Sequence, residues 1–335
     1  MQGWSAMTST LTAAPPPAQR SRPLPPEVLL DWYAGAARDL PWRRDGTSAW
    51  GVMVSEVMLQ QTPVARVLPL WQSWMTRWPD PAALARATLA DAVRAWGKLG
   101  YPRRALRLYV AAQRIVDDFD GVVPSSLEAL ESLPGIGTYT ARAIAAFAFG
   151  ARTPVIDTNV ARVMTRAVSG QAQAGPGVSA TDRANMELLL PTDPARAALF
   201  SVAVMELGAL VCTATAPVCT ECPVRIDCAW QRAGAPTYTG PRRAAQRFEG
   251  TDRQVRGLLL DVLRGSAGPA RAAALDEVWP EAQQRSRALS SLLADGLVEQ
   301  LADGRFGLAG AGADERAGTG AGEHASQVAT QERSE

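Results

Sequence analysis

Three groups of residues in this chain have types and spacing suited to chemistry. The first is Glu56, an acid inside the apolar run Trp50-Gly51-Val52-Met53-Val54-Ser55-Glu56-Val57-Met58-Leu59. On a helix it is either a partly exposed face residue or a buried carboxyl whose pKa rises far enough to make it a general acid at neutral pH. Gln60, Gln61 and Thr62 gather polar groups at the same end of the run. The second is Asp157 in Pro154-Val155-Ile156-Asp157-Thr158-Asn159-Val160, a segment leading into a helix. It is either an N-cap or a carboxylate at the mouth of a cleft. The third is Cys212, Cys219, Cys222 and Cys228, spaced C-x6-C-x2-C-x5-C within 17 residues and without any other cysteine in the chain. Thiols clustered this tightly in a long chain point to one metal site rather than to disulfides. Zinc and iron–sulfur clusters both accept four thiolates. Zinc ribbons usually pair two C-x2-C knuckles, so the single compact loop favours a [4Fe-4S] cluster, acting as a structural clip.

The residues that are scarce narrow the chemistry further. His324 is the only histidine and lies in a Gly/Ala/Ser-rich tail, which leaves no basis for a histidine triad or a His-ligated zinc enzyme. Of the 34 basic residues only Lys98 is lysine, so one side-chain amine at most could form a Schiff base. The excess of arginine reads as coding bias more than function. The net charge of +1 does not by itself call for nucleic acid.

These groups need elements to hold them. Leu133-Pro134-Gly135-Ile136-Gly137 joins a short helix over Ser125–Ser132 to a second one starting near Thr138. Gly135 and Gly137 permit a tight turn and leave helix N-terminal N–H groups available to an anion such as a phosphodiester; a plain helical corner is the other reading. Helical spacing dominates from Pro26 to about Cys228, as in Ala105, Leu108, Tyr109, Ala112, Ile115 and Val116. No alternating β pattern interrupts it, so this part is all-α. The Gly/Pro/Arg-rich stretch 233–250 reads as a linker. Three helical stretches follow, roughly Asp252–Leu263, Arg271–Val278 and Glu281–Asp295, with Gly296 as a helix stop. An extended pair then turns at Ala302-Asp303-Gly304. Together they predict a small winged-helix-like module over 251–309. Residues 1–25 and 310–335 read as a disordered arm and tail. With 335 residues, 47% of them apolar, a sizeable core is expected. No apolar run approaches the ~18–20 residues that span a bilayer, and no basic-then-apolar leader is evident, so no membrane partner and a cytoplasmic location are expected, nucleoid-associated while scanning DNA.

Taken in order, LPWR (Leu40–Arg43), SEVMLQQT (Ser55–Thr62), LGYPRRA (Leu99–Ala105), LPGIGTYTARAI (Leu133–Ile144), DTNVARV (Asp157–Val163), MELGALVC (Met205–Cys212) and the cysteine spacing resemble the helix–hairpin–helix DNA glycosylases that carry an iron–sulfur cluster, and within them the adenine DNA glycosylase (MutY-like) branch. The resemblance covers about Pro26 to Trp230. It implies an all-α fold of a six-helix barrel module (51–150) containing the hairpin, and an iron–sulfur module (26–50 with 151–232). It further implies base excision repair of adenine mispaired with 8-oxoguanine or guanine in double-stranded DNA, by a monomer. Glu56 matches the acid that protonates the extruded adenine at N7, and Asp157 the carboxylate that stabilises the cationic sugar. Asn159 matches a residue fixing that carboxylate. Tyr139 stands where bifunctional relatives carry a nucleophilic lysine, so lyase activity should be weak or absent. Trp42 and Arg43 match the adenine pocket wall. Gln61 matches a side chain wedged into the duplex, and Thr62, Leu99 and Tyr101 match residues near the opposite base. Lys98 is left as a phosphate contact or surface charge.

The chain also departs from that family. Pro102 follows Tyr101 where a second tyrosine is usual, Lys98 replaces a glycine, Thr158 a glycine, and Val202 an adenine-contacting Gln or Glu. The nudix-like C-terminal domain with its Phe-Ser-His loop is not recognisable, so weaker discrimination between 8-oxoguanine and guanine is expected. Two other functions compete: an endonuclease III-like glycosylase/lyase for oxidised pyrimidines, against which Tyr139 and Glu56 speak, and a non-enzymatic iron–sulfur DNA-binding regulator, which would have no need of two carboxylates facing DNA.

Overall fold

The computed structural model describes residues 23–240 and 247–311. Most of the expected arm and tail, and part of the expected linker, lie outside these. Among the described residues the chain is helical apart from one hairpin, and no helix is long and apolar enough to cross a membrane.

The chain opens with α1 (Pro26–Ala36). A 3₁₀ turn over Pro41–Arg43 leads into α2 (Ala49–Leu59). Around α2 stand α3 (Val64–Arg77), α4 (Pro81–Ala85), α5 (Leu89–Trp96), α6 (Arg103–Asp118), α7 (Leu127–Ser132) and α8 (Thr138–Phe149). Every residue of α2 from Trp50 to Met58 is buried, which is where a helix apolar on all sides belongs. Ser48 caps it by accepting from Gly51 N at 3.1 Å. Two indoles fix its depth: Trp71 Nε1 donates to Gly51 O at 2.9 Å and Trp50 Nε1 to Trp78 O at 3.0 Å. Trp42–Trp71 and Trp74–Trp96 then meet edge-to-face, with ring centroids 5.7 and 5.6 Å apart.

A second core lies outside the barrel. It is built by α1 together with α9 (Thr158–Ala167), α10 (Ala180–Leu189) and α11 (Pro194–Leu210), and by Val224 and Cys228 of the cysteine loop. Sequence-distant α1 thus packs on α11. The loop closes on the short α12 (Ala229–Arg232).

The C-terminal helices are α13 (Asp252–Gly265), α14 (Ala272–Asp276) and α15 (Ala282–Ala294). Gly296, at φ +69°, ends α15 as expected, with Leu297 N donating to Leu292 O. Strands β1 (Val298–Gln300) and β2 (Phe306–Leu308) pair antiparallel, Val298 opposite Leu308, and Asp303 braces the turn by accepting from Arg305 N at 3.0 Å. Val255, Leu259, Leu260 and Leu263 belong to the same buried cluster as the barrel's Val93 and Trp96, and Arg264 Nε donates to Val93 O at 3.1 Å. Lys98 is an exposed surface charge, one of the two roles expected for it, and lies 3.4 Å from Asp261 of α13. A shared core predicts shared unfolding. Leu259→Ala should cost about 2–5 kcal/mol and lower the denaturation midpoint followed by barrel tryptophan fluorescence. An early transition that leaves that fluorescence unchanged would contradict the shared core.

Candidate active site

A cleft of about 2290 Å³ runs along the seam of the two cores. Glu56, Trp42, Arg43, Gln61, Thr62, Gly135, Gly137, Tyr139, Asp157 and Asn159 all line it.

Glu56 reaches the cleft from the last turns of α2 and is 7% exposed. Burial raises its carboxyl to about 7; a hydrogen bond from Tyr139 opposes the rise, the nearby charge of Asp157 adds to it, and Arg43 opposes it. Of the two positions the sequence allowed for this residue, the structure shows the buried one. Tyr139, on the first turn of α8, is itself pushed well above its ordinary value, by burial first and then by the two carboxylates, so its hydroxyl stays protonated as the donor to Glu56. Gly137 precedes α8 with no side chain capping it. Gly135 has φ +85°, and a Cβ there would stand 2.8 Å from Arg107 Cβ, so the hairpin lies directly on α6.

Asp157 is both an N-cap and a cleft residue. Its Oδ1 accepts from Val160 N at 2.7 Å and its Oδ2 from Asn159 Nδ2 at 2.9 Å. Burial raises its pKa, and these two bonds and the Arg162 charge hold the rise back. Arg162 Nη2 donates to Asn159 Oδ1 at 2.8 Å and to Gly208 O at 2.6 Å, while its Nε donates to Cys212 O at 2.7 Å. One guanidinium thus joins Asp157, through Asn159, to the cysteine loop.

Arg43 lines the cleft but is not loose in it. Its Nη1 lies 2.9 Å from Glu206 Oε2, and Arg38 binds the same carboxylate through Nε and Nη2, both at 2.7 Å. Burial alone would raise Glu206; the Arg38 and Arg43 guanidinium groups outweigh it and bring it down to about 2. Trp42 is buried edge-on to Trp71.

Gln61, expected as a wedge into the duplex, and Thr62, Leu99 and Tyr101, expected near the opposite base, divide. Gln61 and Tyr101 are exposed, and each has positive φ, +55° and +49°. Thr62 is buried, its hydroxyl accepting from Arg104 Nη2 at 2.9 Å. Leu99 lies in the barrel core at 2% exposure and does not reach the cleft surface; as the apolar residue of the turn after α5, it is drawn under the loop. Tyr101 lies outside the cleft lining, beside Arg253 of α13, whose Nη1 is 3.5 Å from its hydroxyl.

The cysteines carry no disulfide. Among the described residues no group of three or more His, Cys, Asp or Glu is arranged to hold a metal ion. The four nevertheless form one neighbourhood: burial first, then Cys212 and Cys228, raise Cys219, and burial with the other three thiols raises Cys222 to about 11. Arg166, buried beneath the loop, donates to Thr213 O at 2.7 Å and points Nη1 at Cys212 Sγ at 3.4 Å.

Sequence reading passed over Glu206, Arg38, Arg162, Arg104 and Gly208. Glu206 and Gly208 carried a signal, being an acid and a glycine inside the apolar helical stretch Phe200–Leu210. The arginines carried none, since nothing in a sequence separates a buried guanidinium from a solvated one.

Residues 54–191 match the HhH-GPD superfamily of base excision DNA repair proteins. The chain belongs to that superfamily. Its relatives include proteins named adenine DNA glycosylase. That of Mycolicibacterium smegmatis is 58% identical over 286 residues, covering 85% of this chain and 96% of its own length; that of Mycobacterium tuberculosis is 56% identical over 283 residues, 84% and 92%; and the human one is 43% identical over 208 residues, 60% and 38%. Among solved structures, a thermostable thymine-DNA glycosylase shares the fold at TM-score 0.56 and 23% identity, over 62% of this chain and 95% of that one. Endonuclease III in a non-covalent DNA complex shares it at 0.53 and 19%, over 62% and 94%.

A Cβ on Gly208 would lie 2.8 Å from Asn159 Cβ and 2.9 Å from Asn159 O, so α11 and α9 touch through that glycine. Gly208→Ala should destabilise the protein by about 1–3 kcal/mol, measured by denaturant titration. An unchanged midpoint would contradict the contact.

Proposed function

We propose that this cleft extrudes adenine from double-stranded DNA and hydrolyses its N-glycosidic bond, acting on adenine opposite 8-oxoguanine or guanine. The observation that carries the reading is the pairing of a carboxyl held near neutrality, Glu56 at about 7, with a second carboxylate, Asp157, in one DNA-repair cleft. The adenine DNA glycosylase relatives that align with most of this chain support the choice of base.

In this reading Glu56 gives its proton to N7 of the adenine. The C1′–N9 bond breaks, its electron pair goes to the base, and neutral adenine leaves. The positive charge left on the sugar sits against Asp157, oriented by Asn159 and Val160 N; preorganised charge of this kind outperforms water. A water molecule then adds at C1′ and gives its proton to the Glu56 carboxylate, which restores the acid. Tyr139 donates its hydroxyl hydrogen bond to Glu56, which orients the carboxyl and favours the carboxylate left once the proton has gone to the base. Gly135 and Gly137 offer backbone N–H groups to a phosphate. Trp42 and Arg43 wall the base site, with Arg43 held by Glu206. No amine lines the cleft among the described residues: Tyr139 occupies the hairpin position and Lys98 is on α13's side. That favours base release without strand cleavage, and against an endonuclease III-like lyase. Two carboxylates facing an anionic ligand likewise weigh against a regulator that only binds.

Four free thiols within one loop, with Arg162 and Arg166 to balance their negative charge, fit a [4Fe-4S] cluster as donor set. Cys212, Cys219, Cys222 and Cys228 would hold it, and it would supply a cross-link that keeps the loop, and through Arg162 the Asp157 turn, in place.

Glu56→Gln should keep DNA binding and lower single-turnover adenine release by about 10²–10⁴-fold; near-normal release would refute the acid. The wild-type rate should fall as pH rises through about 7, because the protonated fraction of Glu56 is lost there. A rate flat from pH 6 to 9 would be the contrary result. A panel of duplexes with adenine opposite 8-oxoguanine, guanine or cytosine, plus an oxidised pyrimidine, tests the substrate. Adenine release that needs alkali to cut the strand is expected, with a modest preference for 8-oxoguanine over guanine. Cys219→Ser should lose visible absorbance and weaken binding; a colourless, zinc-containing wild type would overturn the cluster.

A further inference from the structure

Arg104 is 6% exposed, yet its guanidinium makes five hydrogen bonds. Nη1 donates to Val57 O at 3.0 Å, Met58 O at 2.9 Å and Gln60 O at 2.6 Å; Nη2 donates to Thr62 Oγ1 at 2.9 Å and Gly100 O at 3.1 Å. Its Nε is buried without a partner. The three carbonyls are the open C-terminal end of α2, where a cation is favoured. The guanidinium also lies 5.3 Å from the ring centroids of both Trp96 and Tyr101. Its contacts therefore bracket two residues it does not hydrogen-bond. Gln61 sits between Gln60 and Thr62, and Tyr101 follows Gly100. Both are exposed, both are non-glycine, and both hold positive φ. Backbone strain of that kind persists only where the surroundings over-determine it, and it gathers at functional sites. Here one side chain supplies the determination for two loops from separate parts of the barrel.

We infer that Arg104 is a positioning residue: with one guanidinium it locks the turns that carry Gln61, at the cleft edge, and Tyr101, on the α13 side and outside the cleft lining, so that both side chains are preset to meet the duplex when a nucleotide is extruded. The inference rests on the DNA glycosylase reading and adds to it the group that prepares extrusion, as distinct from bond cleavage. Lysine cannot replace Arg104, since a point charge does not span five acceptors on two loops.

The test separates extrusion from chemistry. Adenine release is measured with the full chain on a paired duplex and on one carrying the adenine as an unpaired bulge, where little extrusion remains to be done. In Arg104→Lys the ratio of paired to bulged rates should fall on the order of 10-fold or more, as small misplacements do, and fluorescence of 2-aminopurine at the target position should show less extrusion. Gln61→Gly with Tyr101→Gly removes both side chains and relieves both backbones; it should lower the same ratio, and adding Arg104→Lys should then lower it no further. Equal loss on both substrates in Arg104→Lys would make Arg104 merely structural and overturn the inference. So would an unchanged ratio in the double glycine variant, which decides the matter even where Arg104→Lys fails to fold. A wild type that releases adenine from neither substrate overturns the functional reading itself, and the inference with it.

Discussion

The site depends on how a buried carboxyl is answered by its surroundings. Glu56 and Glu206 both lie in apolar helices and both are nearly or fully withdrawn from water. Burial pushes each upward. Glu206 meets two guanidinium groups in hydrogen-bonding geometry, and its pKa falls to about 2. Glu56 meets a neutral hydroxyl and a second carboxylate, and its pKa stays at about 7. Arg43 stands near both acids: it binds Glu206 at 2.9 Å and lowers Glu56 only as the smallest of four influences. Two buried acids thus end in opposite states, one an anion and the other able to keep a proton near neutrality. Glu206 touches nothing that reacts in the proposed chemistry; it binds Arg43, which lines the cleft.

Arginine does the remaining organisation. Arg38, Arg104, Arg162 and Arg166 each tie together segments far apart in sequence by giving several hydrogen bonds from one planar fork. Taken as composition, the excess of arginine over lysine reads as a coding habit. The structure gives at least these four a reason that lysine would not meet, because an ammonium on a flexible stem cannot present fixed, parallel donors to two carbonyls. Burying them has a cost that is visible in Arg104, whose pKa is brought down to about 10 by desolvation. It remains a cation at neutral pH, and its contacts need it to be one.

Much of this was legible before the fold was known, and the reasons are physical. Gly/Pro punctuation and 3.6-residue spacing place α6, the hairpin at Gly135–Gly137 and α8 within a residue or two, because these signals are local. Gly296 and Ala302-Asp303-Gly304 place the end of α15 and the β1–β2 turn for the same reason. Asp157 could be read as a cap or as a cleft carboxylate; both are true, since one oxygen serves the helix and the turn leaves the group at the cleft. Leu99 shows the limit of carrying a role over by motif: its loop faces outward, but the side chain itself is apolar and falls inward. What sequence could not give is long-range. That α13 shares the barrel's core, or that Arg162 spans from Asn159 to Cys212, follows only from the packing of distant segments.

That packing also explains why the two carboxylates belong to different cores. Glu56 rides on α2, inside the barrel; Asp157 begins α9, whose apolar face builds the other core. Their separation is set by neither core alone but by what lies between, the seam where Ala143 and Ala146 of α8 meet Val155, with Tyr139, Ala198 and Met205 packed around them. Small side chains at a helix contact bring backbones close and leave little room for sliding. Tyr139 stands at the end of that seam with its hydroxyl on Glu56. A larger residue at Ala143 or Ala146 would therefore act on the geometry of the acid and the carboxylate together, without touching either.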